Sequence, residues 1–553
     1  MPPRAAGDEP DDVRPTRASR FTPAIAARRV ARSAQENRRR ITWNEDGVPT
    51  EPDDRSVITG RVALAGARNV GETLSRAASD APSREAVVCG EERADYASLD
   101  RAARRVAGGL RLLGVGDGER VAVWLPNGVA WAAAFYGAAR VGTCVPLNVR
   151  YRAEELETIL AHSSARVLIV DGERQREIVA SVAPGLPELR SITTVAELGA
   201  AGGTDDHAAG GAPALVQYTS GTTARPKGVV LGHEQVLRNA WELGARLDVR
   251  PGDRYASGMP FHHVGGSVLT LLLCAAREAT AVTLPRFEAE EMLAAIERER
   301  CTHFFGIETM CVLLLERAEL DAIDRSALRV AFVGGRRAVL EAVRERLCPV
   351  IVNRYGLTES SGNTCCTAVT DPPEVALDTM GRPLPGLELR IVDGEIRIRG
   401  WAVTAGYLDD ADATRAAFDD EGWLRTGDRG EIDADGRLRF LGRAREMLRV
   451  GGENVSAAEI EELVGRHPAV AQVAVVAVED ERLGEVPVAF VELRAGRTAD
   501  EDELVAFCRE RAAGFKTPRR VHLVAPGAWP LTGSGKIRKT ALRDEALAAE
   551  RRA

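Results

Sequence analysis

Along most of this chain, short apolar runs rich in valine, leucine and isoleucine alternate with stretches of helical period, and that alternation leaves few folds open. Leu99, Ala103, Val106, Leu110 and Leu113 repeat at the spacing of one helix face, Gly114 to Gly118 make a turn, and Val121 to Leu125 read as a buried strand. The same pattern predicts a helix around Trp131 to Val141, a strand at Arg166 to Val170, a helix at Glu290 to Arg300 and a strand at Val330 to Val333. Strand and helix in alternation make an α/β protein with mostly parallel sheets. The glycine triplet of the turn precedes a strand rather than following one, so it is not a dinucleotide-binding loop.

After Gly381 the texture changes. Leu387 to Val392 and Glu395 to Arg399 read as short strands joined at Asp393-Gly394, and Asp435-Gly436 marks a second turn, so a β-rich subdomain is expected. Beyond Gly442 a smaller α+β unit follows, with a helix at Ala457 to Arg466, strands at Val473 to Val478 and Val486 to Leu493, and a helix at Glu501 to Ala512. The chain of 553 residues is long enough for several cores. It divides into an Arg-rich, disordered extension over residues 1–65, a large N-terminal domain over 66–442 and a small C-terminal domain over 443–553. The extension mixes arginine with Asp8, Glu9, Asp11 and Asp12 and has no apolar segment of a secretory signal.

A net charge of -8 argues against a general nucleic-acid binder, which needs a basic face to neutralise phosphates. No apolar run approaches the roughly 20 residues that span a bilayer. The nine cysteines show no metal-binding spacing, and Cys365-Cys366 is their only cluster, which fits reduced thiols in a cytoplasmic protein. Of 73 basic residues, only 227, 516, 536 and 539 are lysine. A lysine kept against that bias can do what arginine cannot, because its ammonium is a compact charge on a thin stem.

Lys227 ends the strongest local signal, the segment Tyr218-Thr-Ser-Gly-Thr-Thr-Ala-Arg-Pro-Lys-Gly228. After an apolar lead-in it offers backbone N–H groups, rotatable hydroxyls and one cation to a polyphosphate. Its spacing is not that of a Walker loop, and Gly228 stands where that loop holds magnesium through a hydroxyl. In Asn353-Arg-Tyr-Gly-Leu-Thr-Glu359, Tyr355 offers a flat face for a purine, Thr358 a hydroxyl for a phosphate and Glu359 a hard oxygen for Mg²⁺. Gly422-Trp-Leu-Arg-Thr-Gly-Asp428 sets an aspartate where it can accept two ribose hydroxyls. Gly442 to Asn454 reads as an inter-domain hinge, and Pro530 to Arg538 places Lys536 in a glycine-rich tip able to reach another domain's cleft.

Together, in this order and spacing, these five segments resemble the acyl-adenylate-forming superfamily, from about Asn69 to Asp544, and acyl-CoA synthetases most of all. The resemblance implies two α/β subdomains plus a β-rich subdomain, followed by a small mobile α+β lid that rotates between two half-reactions. It implies that Thr219, Ser220, Gly221, Thr222, Thr223 and Lys227 hold the β- and γ-phosphates of ATP. Tyr355 with Gly356 would take adenine, Thr358 the α-phosphate, Glu359 Mg²⁺, and Asp428 with Arg443 the ribose. Lys536 would bridge the carboxylate and the α-phosphate. Glu446 would mark the hinge, Gly451 and Gly452 would line the path of coenzyme A, and His263 in Pro260-Phe-His-His-Val-Gly-Gly266 would sit at the mouth of the acyl site. The activity so implied is ligation of a small carboxylic acid to coenzyme A through an acyl-adenylate, with a homodimer left open. The rival keeps the adenylation and hands the acyl group to a carrier protein or an amine, or activates another oxyanion.

The chain departs from the family pattern in places. Ala224 replaces a glycine of the phosphate loop, Arg445 and Glu446 replace the usual hinge Lys and Asp, and Gly334-Gly335 is followed by Arg336 and Arg337 beside the acyl pocket, where relatives place a small residue and often a proline. Arg336 either faces solvent, shrinks the pocket or pairs with an acidic substrate, so a long aliphatic chain is not the default substrate.

Overall fold

The structure is a computed structural model; it describes residues 69–203, 212–219, 226–315, 317–335, 337–443, 447–494, 496–530 and 537–550, and two short strands nearer the N-terminus. Those strands, Thr42–Trp43 and Pro49–Thr50, pair antiparallel, and the rest of the extension lies outside the described residues. Residues 64–553 form one compact unit.

Two sheets dominate that unit. The first holds six strands in the spatial order Lys227–Leu231, Leu215–Thr219, Thr143–Pro146, Arg120–Trp124, Val167–Val170 and Ser191–Thr193. Only its Lys227 edge is antiparallel. The second runs Ile351–Val352, Val330–Gly334, His303–Ile307, Arg254–Ser257, Thr280–Thr283, Glu85–Cys89 and Glu92–Asp95, parallel except at the last strand. Val167–Val170 is buried at every residue, as a parallel strand covered on both faces must be.

The helix Tyr96–Leu112 shows how local sequence sets these layers. Asp95 caps it by accepting a 2.7 Å hydrogen bond from the Ser98 amide, and Leu99, Ala103, Val106 and Leu110 face the core. Leu113, expected on the same face, falls beyond the helix end and is 41% exposed, because Gly114 at φ +81° turns the chain away. Arg140, 2% exposed in its side chain, pairs with Asp100 at 2.7 Å and donates to the Gly71 carbonyl at 3.0 Å, tying three helices together. All nine cysteines are buried and unbridged.

A four-stranded antiparallel sheet, Leu387–Val392, Glu395–Gly400, Leu424–Ile432 and Leu438–Arg443, is the expected β-rich part. Asp393 and Gly394 both take positive φ, +52° and +78°, the turn that suits a two-residue hairpin. The C-terminal sheet, Glu453–Ser456, Met447–Val450, Gly484–Leu493 and Val470–Asp480, adds Arg520–Leu523 in parallel. Helices Ala457–Gly465 and Glu501–Arg511 pack on it. This small domain reaches back to the large one: Lys516 Nζ lies 2.8 Å from Glu155, Arg466 2.9 Å from Glu154, and Asn148 donates to Glu453 at 3.4 Å.

Candidate active site

The Ser/Thr/Gly-rich motif is the tip of a hairpin. Its strands pair Thr219 with Lys227 and Tyr218 with Gly228, so the hydroxyl-bearing end and the lysine end of the loop stand opposite one another. Ser220, Gly221, Thr222, Thr223 and Ala224 lie outside the described residues. Gly228 has a packing reason to be glycine, since a Cβ there would come within 2.8 Å of Val216 Cγ1. The Lys227 ammonium sits 4.9 Å from the centre of the Tyr407 ring, and the Tyr407 hydroxyl donates to Glu359 Oε1 at 3.0 Å. Burial and the Glu359 carboxylate push the Tyr407 pKa up, so the phenol keeps its proton and the contact is a hydrogen bond. Backbone bonds from Val230 to Gly406 (3.1 Å) and from Leu408 to Gly228 (2.7 Å) hold the Tyr407 segment against the hairpin.

Tyr355 and Asp428 meet on the next face. The Tyr355 hydroxyl donates to Asp428 Oδ2 at 2.8 Å, and the residues are 7% and 4% exposed. Burial, then the aspartate charge, raises the Tyr355 pKa far above the usual phenol range. Phe440 lies beside the tyrosine ring at 5.9 Å between centroids. Gly356 has no room for a side chain, because a Cβ would stand 2.3 Å from the Gly362 carbonyl oxygen where the chain doubles back. Thr358 and Glu359 occupy the following single turn of 3₁₀-helix, which the Thr404 amide fastens by a 2.7 Å bond to the Glu359 carbonyl. Asp428 and Arg443 are register partners on adjacent strands; the Arg443 side chain lies outside the described residues.

His263 begins the short helix after Pro260, and its Nδ1 accepts from the Gly265 amide at 3.3 Å. Burial, then the charges of Arg354 and Arg449, hold its pKa down at about 4, so the imidazole is neutral. Gly334 ends a strand of the second sheet, with the position of a Cβ 3.4 Å from Arg354 Cγ, and at Gly335 a Cβ would stand 3.0 Å from Glu308 Oε2. The turn of Gly451 and Gly452, at φ +57° and +87°, comes from the small domain to this side of the large one. A Cβ on Gly452 would lie 1.9 Å from Ile307 Cδ1, at the end of the strand next to Gly334. Arg336, Glu446 and Lys536 lie outside the described residues.

Several residues of this neighbourhood escaped the sequence reading as site residues: Tyr407, Phe440, Ile307, Arg354, Arg449 and Lys516. Arg354 and Arg449 sit within quoted motifs, and only their side-chain directions were hidden. Lys516 had been singled out by lysine scarcity alone, without a role.

The family model for AMP-binding enzymes matches residues 74–408, and that for the AMP-binding enzyme C-terminal domain matches residues 459–536. This chain belongs to the AMP-binding enzymes. A methyl-dioxo-octahydroindenyl-propanoyl:CoA ligase of Mycobacterium tuberculosis is 37% identical over 506 residues, covering 86% of this chain and 99% of its own length. Among solved structures, a double mutant of the o-succinylbenzoate CoA synthetase of Bacillus subtilis, bound to a product analogue, superposes with a TM-score of 0.76 at 28% identity, over 85% of this chain and 98% of that one. ATP-bound MatB of Rhodopseudomonas palustris gives 0.64 at 25% identity, over 86% and 99%. As the sequence motifs imply, this AMP-binding enzyme is an ATP-dependent, AMP-forming acyl-CoA ligase.

Proposed function

We propose that the protein activates a small carboxylic acid as its acyl-adenylate and passes the acyl group to coenzyme A, and that the domain arrangement described above is the one that forms the thioester. The observation that carries this reading is the approach of Gly452 to Ile307, which brings a side-chain-free turn of the small domain to the acyl side of the large one. Two adjacent glycines let that turn come this close, and the thiol-bearing arm of the acceptor would run beside it. The higher TM-score with the structure holding a CoA-product analogue than with the ATP-bound one points the same way, at nearly equal coverage.

In adenylation, Thr219, Ser220, Gly221, Thr222, Thr223 and Lys227 take the β- and γ-phosphates, Tyr355 and Gly356 the adenine, and Asp428 with Arg443 the ribose. Thr358 donates to the α-phosphate. Two anions must meet at that atom, and Lys227 and Lys536 offset their repulsion as charge develops in line. Tyr407 fixes Glu359 by the 3.0 Å bond, aiming its carboxylate toward the lysine side of the loop. Among the described residues no group of three His, Cys, Asp or Glu side chains converges into a metal cage. A lone Glu359 oxygen fits Mg²⁺ all the same, since that ion is usually held by one or two carboxylates plus substrate phosphates. When bound it supplies charge neutralisation to the leaving pyrophosphate. The small domain, with its boundary at 442/443 and a hinge at Glu446, then exchanges Lys536 for the Gly451-Gly452 turn. The thiolate attacks the mixed anhydride and AMP leaves.

A cytoplasmic setting suits the nine buried free thiols, and no helix among the described residues is long and apolar enough to cross a membrane. The test is AMP release over an acid library with coenzyme A present or omitted. Acid-dependent AMP release that requires coenzyme A is expected. Pyrophosphate release with acyl transfer only to an amine or a carrier protein would overturn the acceptor.

A further inference from the structure

Arg354 stands next to Tyr355 on a two-residue strand, so its side chain leaves the opposite face. Tyr355 goes to Asp428; Arg354 goes to the acyl side. Its guanidinium carbon lies 5.5 Å and 5.3 Å from the ring centres of Phe305 and Phe332, and its stem lies along Gly334. One end is anchored, with Nη2 donating to the Gly362 carbonyl at 2.7 Å. Nε is buried and has no hydrogen-bond partner among the described residues. Among the described residues no carboxylate comes within 4.0 Å of this guanidinium. The other groups that act on it are Arg449, a second cation, and Tyr255, Cys365 and Cys366, whose pKa values are all pushed up by burial so that none is an anion at neutral pH. His263, facing the same pair of arginines, is neutral.

A half-buried guanidinium with a buried, unused Nε–H, set beside two aromatic rings and without a counter-charge among the described residues, costs the fold unless something else supplies the anion. In the reading proposed above, the reacting carboxylate and the α-phosphate are met by Thr358, Lys227 and Lys536, and the adenosine by Tyr355 and Asp428. What remains for Arg354 is the far end of the acid.

We propose that Arg354 determines the specificity of the acyl site and that the preferred substrate is a carboxylic acid carrying a second carboxylate, which docks on Nε and on the N–H groups not given to Gly362. Planar pairing with a carboxylate is what a guanidinium does better than any other side chain. The sequence left Arg336 facing solvent, narrowing the pocket or pairing with an acidic substrate, and it lies outside the described residues; Arg354 is a second arginine beside the acyl strand.

This inference rests on the ligase reading, and the experiment separates the two. Pyrophosphate release is measured for wild type, Arg354→Met and Arg354→Gln with chain-matched sets: hexanoate, adipate and 5-oxohexanoate, and the corresponding four-, eight- and ten-carbon acids. Wild type is expected to favour a diacid over its matched monoacid by at least tenfold in kcat/KM. Both variants should lose about 30- to 100-fold on the diacid, keep the KM for ATP, and hold or gain activity on the monoacid. Thermal melting of each variant with ATP reports its fold, and a melting shift of wild type with adipate but not hexanoate supports the docking directly. An equal loss on every acid, or a wild type that favours the monoacid or the oxo-acid, overturns the inference and leaves the ligase intact. A wild type that releases pyrophosphate with none of the acids overturns both.

Discussion

Gly451 and Gly452 separate two costs that usually come together. Both have positive φ, so alanine at either position takes on roughly 1–2 kcal/mol of backbone strain, a cost that follows the turn wherever the small domain goes. Only Gly452 meets the large domain. A Cβ there would sit 1.9 Å from Ile307 Cδ1, whereas at Gly451 the nearest atom is Leu483 Cδ2, at 3.4 Å and within the small domain. Ile307 is 8% exposed, so its terminal methyl has to rotate inside a packed layer. Overpacking of this kind costs about 1–3 kcal/mol, which is roughly a 5- to 150-fold loss in the population of this domain arrangement. Thioester formation from supplied acyl-adenylate should therefore slow by that factor in Gly452→Ala relative to Gly451→Ala, while pyrophosphate release in the first half-reaction stays level between the two. The half-reactions are read separately by quench and product chromatography. Equal thioester rates in the two variants, or a matching drop in adenylation for Gly452→Ala, would refute the assignment of this arrangement to the second step.

Lys536→Ala should abolish adenylation and spare thioester formation from supplied acyl-adenylate; equal loss of both would remove Lys536 from the first step. Lys516→Met leaves Glu155 and Glu459, each 14% exposed in its side chain, facing each other across the domains without the ammonium that lies 2.8 Å and 2.7 Å from them. It should cost about 3–5 kcal/mol of stability in this arrangement, seen as a lower melting temperature and easier proteolysis between the domains. Asp428→Asn should raise the KM for ATP about 10- to 150-fold with the KM for the acid unchanged, because a charge-assisted bond to ribose is worth about 1.5–3 kcal/mol. His262 and His263 are held down by burial, with pKa values of about 3 and 4 against 6.5 unfolded. The neutral imidazoles thus favour the folded state fully above pH 6.5, and that contribution is lost as pH falls from 6.5 toward 4; a melting temperature flat over that window would contradict it.

The layered α/β fold was legible because a parallel strand has to be apolar on both faces. Val167–Val170 and Val330–Gly334 announce themselves by composition, within a residue or so of where hydrogen bonding ends them. Element ends were less legible, since Leu113 has the right character for the helix face and is exposed only because Gly114 turns the chain. The nucleotide motifs were legible as strings. What they could not reveal is which side of a strand each residue leaves by. Tyr355 and Arg354 are adjacent in one motif, yet one faces Asp428 and the other the acyl side, and two residues of strand are too few to carry a pattern. Tyr407 is in the same position: its ring meets Lys227 and its hydroxyl meets Glu359 from segments 180 and 48 residues away in the chain, a meeting made by sheet topology.

Lysine scarcity had a physical meaning that only the packing could expose. The Lys516 side chain is 7% exposed, and its ammonium lies 5.2 Å and 5.5 Å from the ring centres of Tyr151 and Phe515, between two carboxylates from different domains. Burial opposes its charge, but Glu459 and Glu155 outweigh burial and raise its pKa, so it stays an ammonium. A guanidinium is planar and wider and cannot bring one donor cluster to two carboxylates at such short range without moving the aromatic walls. Arg354 is the converse case: a flat cation beside a pair of touching rings, where an ammonium would lose the paired N–H edge. The two basic residue types therefore divide by task. The point charge closes one domain on the other in a contact complete within the chain, while the planar charge waits on the acyl side for a partner that the described chain does not supply.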